Sequence, residues 1–174
     1  MVRCNSQVAT NRVANAARGE KKMFGNGNQP RLIFPGLAGF YASMSPIADL
    51  LIRIVVGVMF LMHVWGKFNA GAARIAGSFG TNYGLPMPDL FAYTAMGLEL
   101  VGGICLIIGL FTRFFAAALA VEMGIALIVA HLPKGYAAGA GGYEYVLLIG
   151  VALLMIAMRG GGPYSVDAKI GKEL

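Results

Sequence analysis

Ionisable side chains within long apolar blocks are the first candidates for chemistry in this sequence. Arg53 and His63 lie in the first block, Glu99 in the second, and Glu122 and His131 in the third. A charge is costly inside a bilayer, so such residues usually face a bundle interior and often mark a functional site. The sequence leaves two interpretations open, a structural polar network that fixes helix register and a site that handles protons or a substrate.

Three of these residues are predicted to form a buried polar network. Helical rise places Glu99 and Glu122 near the middle of their blocks, at similar depth in a bilayer core. Arg53 is the cation predicted to pair with them. Both glutamates lie on stripes of small residues, which favour close helix contacts. These stripes are Ala95, Glu99, Gly102 and Gly103 in one block, and Ala118, Glu122, Ala126 and Ala130 in the other.

A second group, the outer cluster, consists of His63, Lys67, His131 and Glu144. His63 and Lys67 are four residues apart and therefore share one helix face. Hydrogen-bond donors at the end of an apolar cleft suit a quinone headgroup, whose carbonyls accept hydrogen bonds. Paired histidines are also typical ligands of a b-type haem. Ordinary hydrogen-bonding roles are the third interpretation, and no metal site is predicted.

Composition excludes several classes of protein. The chain is 57% hydrophobic and 13% charged, whereas soluble domains carry about 25% charged residues. The net charge of +6 does not indicate nucleic-acid binding, because basic residues collect at the ends of apolar blocks. Cys4 and Cys105 form no CxxC motif, so the sequence indicates no redox pair or c-type haem attachment.

The sequence therefore predicts an all-α membrane protein, an up-and-down four-transmembrane-helix bundle with an extended N-terminal arm. Residues 1–45 form a basic arm and interfacial segment, 46–167 the bundle, and 168–174 a C-terminal tail. The predicted spans are roughly 47–66, 89–109, 113–132 and 143–158. Lys and Arg residues are concentrated in the N-terminal arm and in the segments beside the spans that lie on the same side of the membrane as the arm. This distribution predicts that both termini are cytoplasmic.

Three segments carry a resemblance to a known family, DLLIRIVVGVMFLMHVWGKF, GLPMPDLFAYTAMGLELVGGICLIIGLFTRFFAAALAVEM and GGYEYVLLIGVALLMIAMRGGGPYSVD. Over residues 49–167 the chain resembles the DoxX family of small bacterial membrane proteins. The most specific matches are LE-x-x-GG around Glu99, GL-x-TR at Arg113 and the terminal G-x-Y-S-x-D. Where the family commonly has a histidine–glycine pair, this chain has His63–Val64.

The resemblance implies a four-helix protein of the bacterial inner membrane. Some relatives are subunits of a thiosulfate:quinone oxidoreductase, and others associate with enzymes of thiol or oxidative-stress chemistry. The favoured hypothesis is an accessory, non-catalytic subunit of a respiratory or photosynthetic complex, bound to other membrane subunits and lipids through the arm and helix faces. A quinone-binding oxidoreductase subunit and a proton channel or transporter are the alternatives. The implied positions are Arg53, His63, Lys67, Glu99, Arg113, Glu122, His131 and Glu144.

Overall fold

The computed structural model describes residues 32–173, and within this range the ordered elements are all helical. The N-terminal arm, residues 1–31, lies outside the described residues. The α-helices are α1 (Ala38–Ala70), α2 (Ala72–Tyr83), α3 (Pro88–Ile108), α4 (Thr112–Ala126), α5 (Glu144–Arg159) and α6 (Val166–Ile170). A π-helical segment, Leu127–His131, continues α4, and short 3-10 turns occur at Pro35–Leu37, Leu132–Lys134 and Ala138–Ala140.

The first helix is longer than predicted. The described residues fall into two units that divide between Tyr41 and Ala42, and α1 runs across this boundary. The first span was predicted to begin at about residue 47, but α1 begins at Ala38 and Pro46 lies inside it. A proline removes one backbone hydrogen bond from a helix, a loss that long membrane helices commonly accommodate. From Ala38 onward the predicted arm and interfacial segment, residues 1–45, is therefore helical and continuous with the first span, and its place at the membrane interface stays a prediction.

Three helical stretches have the length and apolarity needed to cross a bilayer, Pro35–Ala70, Pro88–Ile108 and Thr112–Lys134. The prediction of an all-α membrane protein is confirmed. The fourth predicted span forms α5, which has 16 residues and a length of about 24 Å. Because a bilayer core is about 30 Å thick, the fourth crossing stays a prediction.

The end of the bundle at the α3–α4 turn is held by a carboxylate from the C-terminal segment. Gly109 ends α3 with a φ of 73°, and Phe111 has a φ of 48° just before α4. Asp167 is fully buried, and its two oxygens accept hydrogen bonds from Phe111 N at 2.8 Å and Thr112 N at 2.9 Å. These donors have no partner within α4, so Asp167 caps that helix. We call this the Asp167 end.

Two glycines bring α1 and α3 into close contact. A Cβ atom on Gly57 would lie 2.7 Å from the carbonyl oxygen of Gly103, and one on Gly103 would lie 3.0 Å from the carbonyl oxygen of Gly57. Small residues let membrane helices approach in this way. Around this contact lies the core, formed by Val56, Phe60, Leu106, Ala116, Leu119, Ala120, Ile149, Leu153, Ile156 and Ala157.

Gly57→Val is expected to destabilise the protein by about 1–3 kcal/mol, because the added methyl groups push α1 away from α3. Gly97→Val is the matched control, since Gly97 lies within α3 and a Cβ there meets nothing within 4 Å. The free energy of unfolding, measured by denaturant titration in detergent, compares the two variants. Equal stability of both would contradict the close glycine contact.

Candidate ligand-binding cavity

A cavity of about 530 Å³ lies at the end of the bundle opposite the Asp167 end. Its walls come from α1 to α5 and from the loop before α5, and they are mainly apolar and aromatic. Among the apolar lining residues are Phe60, Phe79, Phe91, Leu98, Val129 and Ile149. Eight polar residues also line it, His63, Lys67, Tyr83, Thr94, Glu99, Glu122, His131 and Tyr145. The cavity is therefore an apolar space with a few polar groups that can orient a ligand.

An ion pair between α1 and α3 lies in the cavity wall. Lys67 Nζ is 2.8 Å from Glu99 Oε1, and the Glu99 side chain is 2% exposed against 18% for Lys67. The glycine contact of Gly57 with Gly103 brings the two helices close enough for the lysine to reach the carboxylate. Burial of such a pair costs desolvation energy that good geometry must offset. The pair fixes a charged donor and a charged acceptor side by side.

Two carboxylate oxygens within the wall of this space have no hydrogen-bond partner among the described residues. They are Oε2 of Glu99 on α3 and Oε2 of Glu122 on α4, and both atoms are buried. Glu99 as a residue is 1% exposed. Unpaired buried acceptors are rare in folded proteins. Both oxygens are covered by protein atoms, so they are part of the wall and are not open to the cavity.

The two histidines lie on different elements of the cavity wall. His63 is one helical turn before Lys67 on α1 and is exposed. His131 ends the π-helical segment, and its Nδ1 lies 2.8 Å from the carbonyl oxygen of Gly141. A carbonyl oxygen only accepts, so Nδ1 carries the proton of this hydrogen bond. Helical π segments are frequent at functional sites, and here the segment carries His131.

The chain matches a family model named DoxX over residues 48–132. It is 37% identical to an uncharacterised protein of Haemophilus influenzae over 125 residues, which cover 70% of this chain and 90% of that protein. The chain belongs to the DoxX family. The matched residues include His63, Lys67, Glu99, Glu122 and His131.

Two further relatives of this DoxX-family protein carry more informative names. A Bacillus subtilis protein named putative oxidoreductase CatD is 31% identical over 105 residues, covering 59% of this chain and 73% of that protein. The Escherichia coli inner membrane protein YqjF is 27% identical over 135 residues, covering 75% of this chain and 97% of that protein. No solved structure is significantly similar to the chain. The family and the apolar helices together identify a membrane protein.

In this DoxX-family chain, the two predicted clusters form one site. Glu99 and Glu122 line the same cavity as His63, Lys67 and His131, although the sequence placed the glutamates apart from the outer cluster. The long side chain of Lys67 joins the two groups through its ion pair.

Glu144 of the outer cluster does not line the cavity. Its side chain is exposed, and its Oε2 accepts a hydrogen bond from Ala138 N at 3.3 Å. It therefore stabilises the loop before α5, in which Gly141 also binds His131.

The predicted pairing of Arg53 with the glutamates is wrong. Arg53 is 1% exposed, and its guanidinium donates to the carbonyl oxygens of Gly161 at 2.8 Å and Tyr164 at 2.7 Å. Both acceptors belong to the segment after α5, at the Asp167 end. This contact could not be predicted from the sequence, because main-chain carbonyl groups occur at every residue and form no recognisable motif. Arg53 holds the C-terminal segment against α1 and is absent from the cavity wall.

Sequence reasoning missed the contribution of α2 and α5 to the cavity. Phe79 and Tyr83 line it from α2, a helix that is not among the four predicted spans. They share an apolar face with Ile75 and Ala76, a spacing that could have identified the inward side. From α5, Tyr145 lines the cavity and its hydroxyl contacts Met59 Sδ at 2.8 Å.

The donor set of the cavity does not resemble a metal centre. Among residues 32–173, no group of three His, Cys, Asp or Glu side chains is arranged to hold a metal ion. The polar residues instead offer Lys67 as a cationic donor, carboxylates as acceptors, and imidazole and phenol groups that do both. This set suits a neutral ring with oxygen substituents.

Proposed function

We propose that this DoxX-family protein binds a lipid-soluble quinone in the cavity, as an accessory membrane subunit of an oxidoreductase whose redox centre lies on a partner chain. The observation that carries the proposal is the ion pair of Lys67 and Glu99 in the wall of a largely apolar cavity of about 530 Å³. Cavities of about 300–1,000 Å³ hold compact organic ligands.

The apolar and polar parts of the cavity match the two parts of a quinone. Aromatic and aliphatic walls suit the flat ring and the first units of its tail. The ring oxygens of a quinone need hydrogen-bond donors at one side, which Lys67 and Tyr145 offer. A lipid-soluble ligand is also consistent with a site placed among apolar helices.

A partner chain is part of the proposal because electron transfer needs a cofactor or a redox-active side-chain pair. The two cysteines, Cys4 and Cys105, form no such motif. The relative named as a putative oxidoreductase supports the same chemistry. We further propose that the N-terminal arm and the helix faces contact the partner. The basic flanks support an inner-membrane location with both termini in the cytoplasm.

Saturable binding of decylubiquinone to the purified protein in nanodiscs is the expected result. Isothermal titration calorimetry, with empty nanodiscs as the blank, reports occupancy of the site. Tyr145→Phe removes a hydroxyl donor from the cavity wall and is expected to weaken binding by about tenfold, the equivalent of one lost hydrogen bond.

Glu144→Gln is the control, because Glu144 lies near the same loop but outside the cavity. It should bind decylubiquinone as the unmodified protein does. Heat that does not saturate with quinone concentration, and is the same in all three proteins and in empty nanodiscs, would refute a binding site.

A further inference from the structure

We infer that the ligand is a quinone with a long isoprenoid tail, and that the tail passes from the cavity into the surrounding lipid between α3 and α4. The inference rests on the proposed function and adds the class of quinone that the site accepts. We call this opening the α3–α4 gap. Its edges are Phe91 and Thr94 on α3 and Val121 and Ile125 on α4.

The volume of the cavity decides how much of such a quinone it can enclose. A space of about 530 Å³ lies within the range that holds compact organic ligands. It accommodates a quinone ring with the first units of a tail. A tail of many isoprene units is much larger than the ring, so the rest of the tail must leave through an opening in the cavity wall.

α3 and α4 pack tightly in the half of the bundle nearer the Asp167 end. A Cβ atom on Gly102 of α3 would lie 3.0 Å from Cδ1 of Leu119 on α4, and Leu119 is fully buried. In the other half, side chains from both helices, among them Leu98 and Ala118, line the cavity. The cavity therefore separates the two helices in this half.

The edges of the α3–α4 gap belong both to the cavity and to the protein surface. Each of the four residues lines the cavity. Val121 is 64% exposed, Ile125 45% and Phe91 37%, and Thr94 is also exposed. Both helices lie in stretches long and apolar enough to cross a bilayer, so this surface faces lipid. The cavity is therefore open to the acyl chains of the bilayer at this place.

The other sides of the cavity are bridged by contacts between helices. The ion pair of Lys67 with Glu99 joins α1 to α3. The hydroxyl of Tyr145 on α5 contacts Met59 Sδ on α1 at 2.8 Å. From α5 the lining residue Ile149 is 6% exposed, in contrast to Val121 at the gap. A tail that left on these sides would have to break such contacts.

The end of the cavity opposite the Asp167 end is covered by α2 and by the loop before α5. Phe79 and Tyr83 of α2 line the cavity and are half-buried. The loop is fixed by the hydrogen bond of His131 Nδ1 with the carbonyl oxygen of Gly141, at 2.8 Å. Beyond this end an apolar tail would meet water, which is unfavourable. The α3–α4 gap is therefore the route that keeps the tail in lipid.

The test measures competition between a tailless and a long-tailed quinone at equilibrium. Isothermal titration calorimetry gives the dissociation constant of dimethoxydimethylbenzoquinone, the ubiquinone ring with a methyl group in place of the tail. The protein is held in nanodiscs whose lipid either contains or lacks decaprenyl ubiquinone, and empty nanodiscs of each kind are the blanks. Decaprenyl ubiquinone loaded at about ten times its own dissociation constant is expected to raise the apparent dissociation constant of the tailless compound by about tenfold.

Variants locate the path of the tail. Val121→Trp places an indole ring at the gap, at a position exposed enough to accept the added volume. It is expected to weaken the binding of decaprenyl ubiquinone by at least about tenfold more than that of the tailless compound. Thr94→Trp fills the gap from α3 and should act in the same direction. Ile128→Trp is the matched control, because Ile128 is 63% exposed and lies outside the cavity wall. It should keep the affinities of the unmodified protein.

A tailless compound that binds without competition from decaprenyl ubiquinone would overturn the inference and leave the quinone site intact. Equal weakening of both quinones in Val121→Trp and Thr94→Trp would also overturn it, because the gap would then hold the ring. The same result in both variants as in Ile128→Trp would place the tail elsewhere. If Val121→Trp does not fold, Thr94→Trp and the unmodified protein decide the result. Failure of the tailless compound to bind the unmodified protein would reject the proposed function together with the inference.

Discussion

Lys67→Met is expected to lower the free energy of unfolding by about 3–5 kcal/mol, because it leaves the Glu99 carboxylate buried without its cation. Glu99 is 1% exposed, and water cannot replace the lost contact at low cost. Among the described residues, the hydrogen-bond donor to this carboxylate is Lys67 Nζ, at 2.8 Å. Denaturant titration of the purified protein in detergent measures the loss.

A double variant distinguishes the effect of breaking the ion pair from the effect of losing the lysine side chain. Lys67→Met combined with Glu99→Gln removes both charges, so it should recover most of the stability lost in the single variant. Arg74→Met, an exposed basic residue on α2, is the control and should change stability by less than about 0.5 kcal/mol. A Lys67→Met protein as stable as Arg74→Met would show that the buried pair does not form.

Asp167→Ala is expected to destabilise the protein by about 2–4 kcal/mol, because it removes the cap on α4 and leaves two backbone N–H groups without an acceptor. The carboxylate accepts from two backbone N–H groups, at Phe111 and Thr112. Its own N–H donates to the carbonyl oxygen of Gly109 at 2.9 Å. The substitution therefore releases the α3–α4 turn and the C-terminal segment together.

Thermal unfolding and limited proteolysis measure the effect of Asp167. Asp167→Asn keeps one acceptor oxygen and is expected to retain part of the stability. Lys169→Ala, an exposed change on the same short helix α6, should leave the melting temperature nearly unchanged. Unfolding of Asp167→Ala and Lys169→Ala at the same temperature would contradict the capping role.

The sequence predicted those features of the fold that depend on local patterns. Apolar block length gave α3 within one residue, from about 89–109 predicted to Pro88–Ile108 observed. The short turn between α3 and α4 was also predicted, since Gly109 and few intervening residues allow only a tight connection. The composition of an apolar block does not show whether a helix continues through a proline. The extension of α1 through Pro46 was therefore not predicted.

The candidate site was predicted less completely, because it depends on contacts between distant residues. The search for ionisable residues within apolar blocks identified four residues that line the cavity, His63, Glu99, Glu122 and His131. Arg53 and Lys67 are both positively charged, so charge alone did not show which of them is the partner of Glu99. Lys67 reaches Glu99 because its flexible side chain extends from the end of α1.

The hydrogen bond between Arg53 and Gly161 has a consequence for biosynthesis. Its partners are 108 residues apart, so Arg53 leaves the ribosome about 5–20 s before its acceptor is made. During that interval the guanidinium has neither Gly161 nor Tyr164 to bind. Its long side chain must then remain hydrated at the membrane surface or contact the insertion machinery. Settling of α1 to its final depth is therefore a late event, which waits for the last part of the chain.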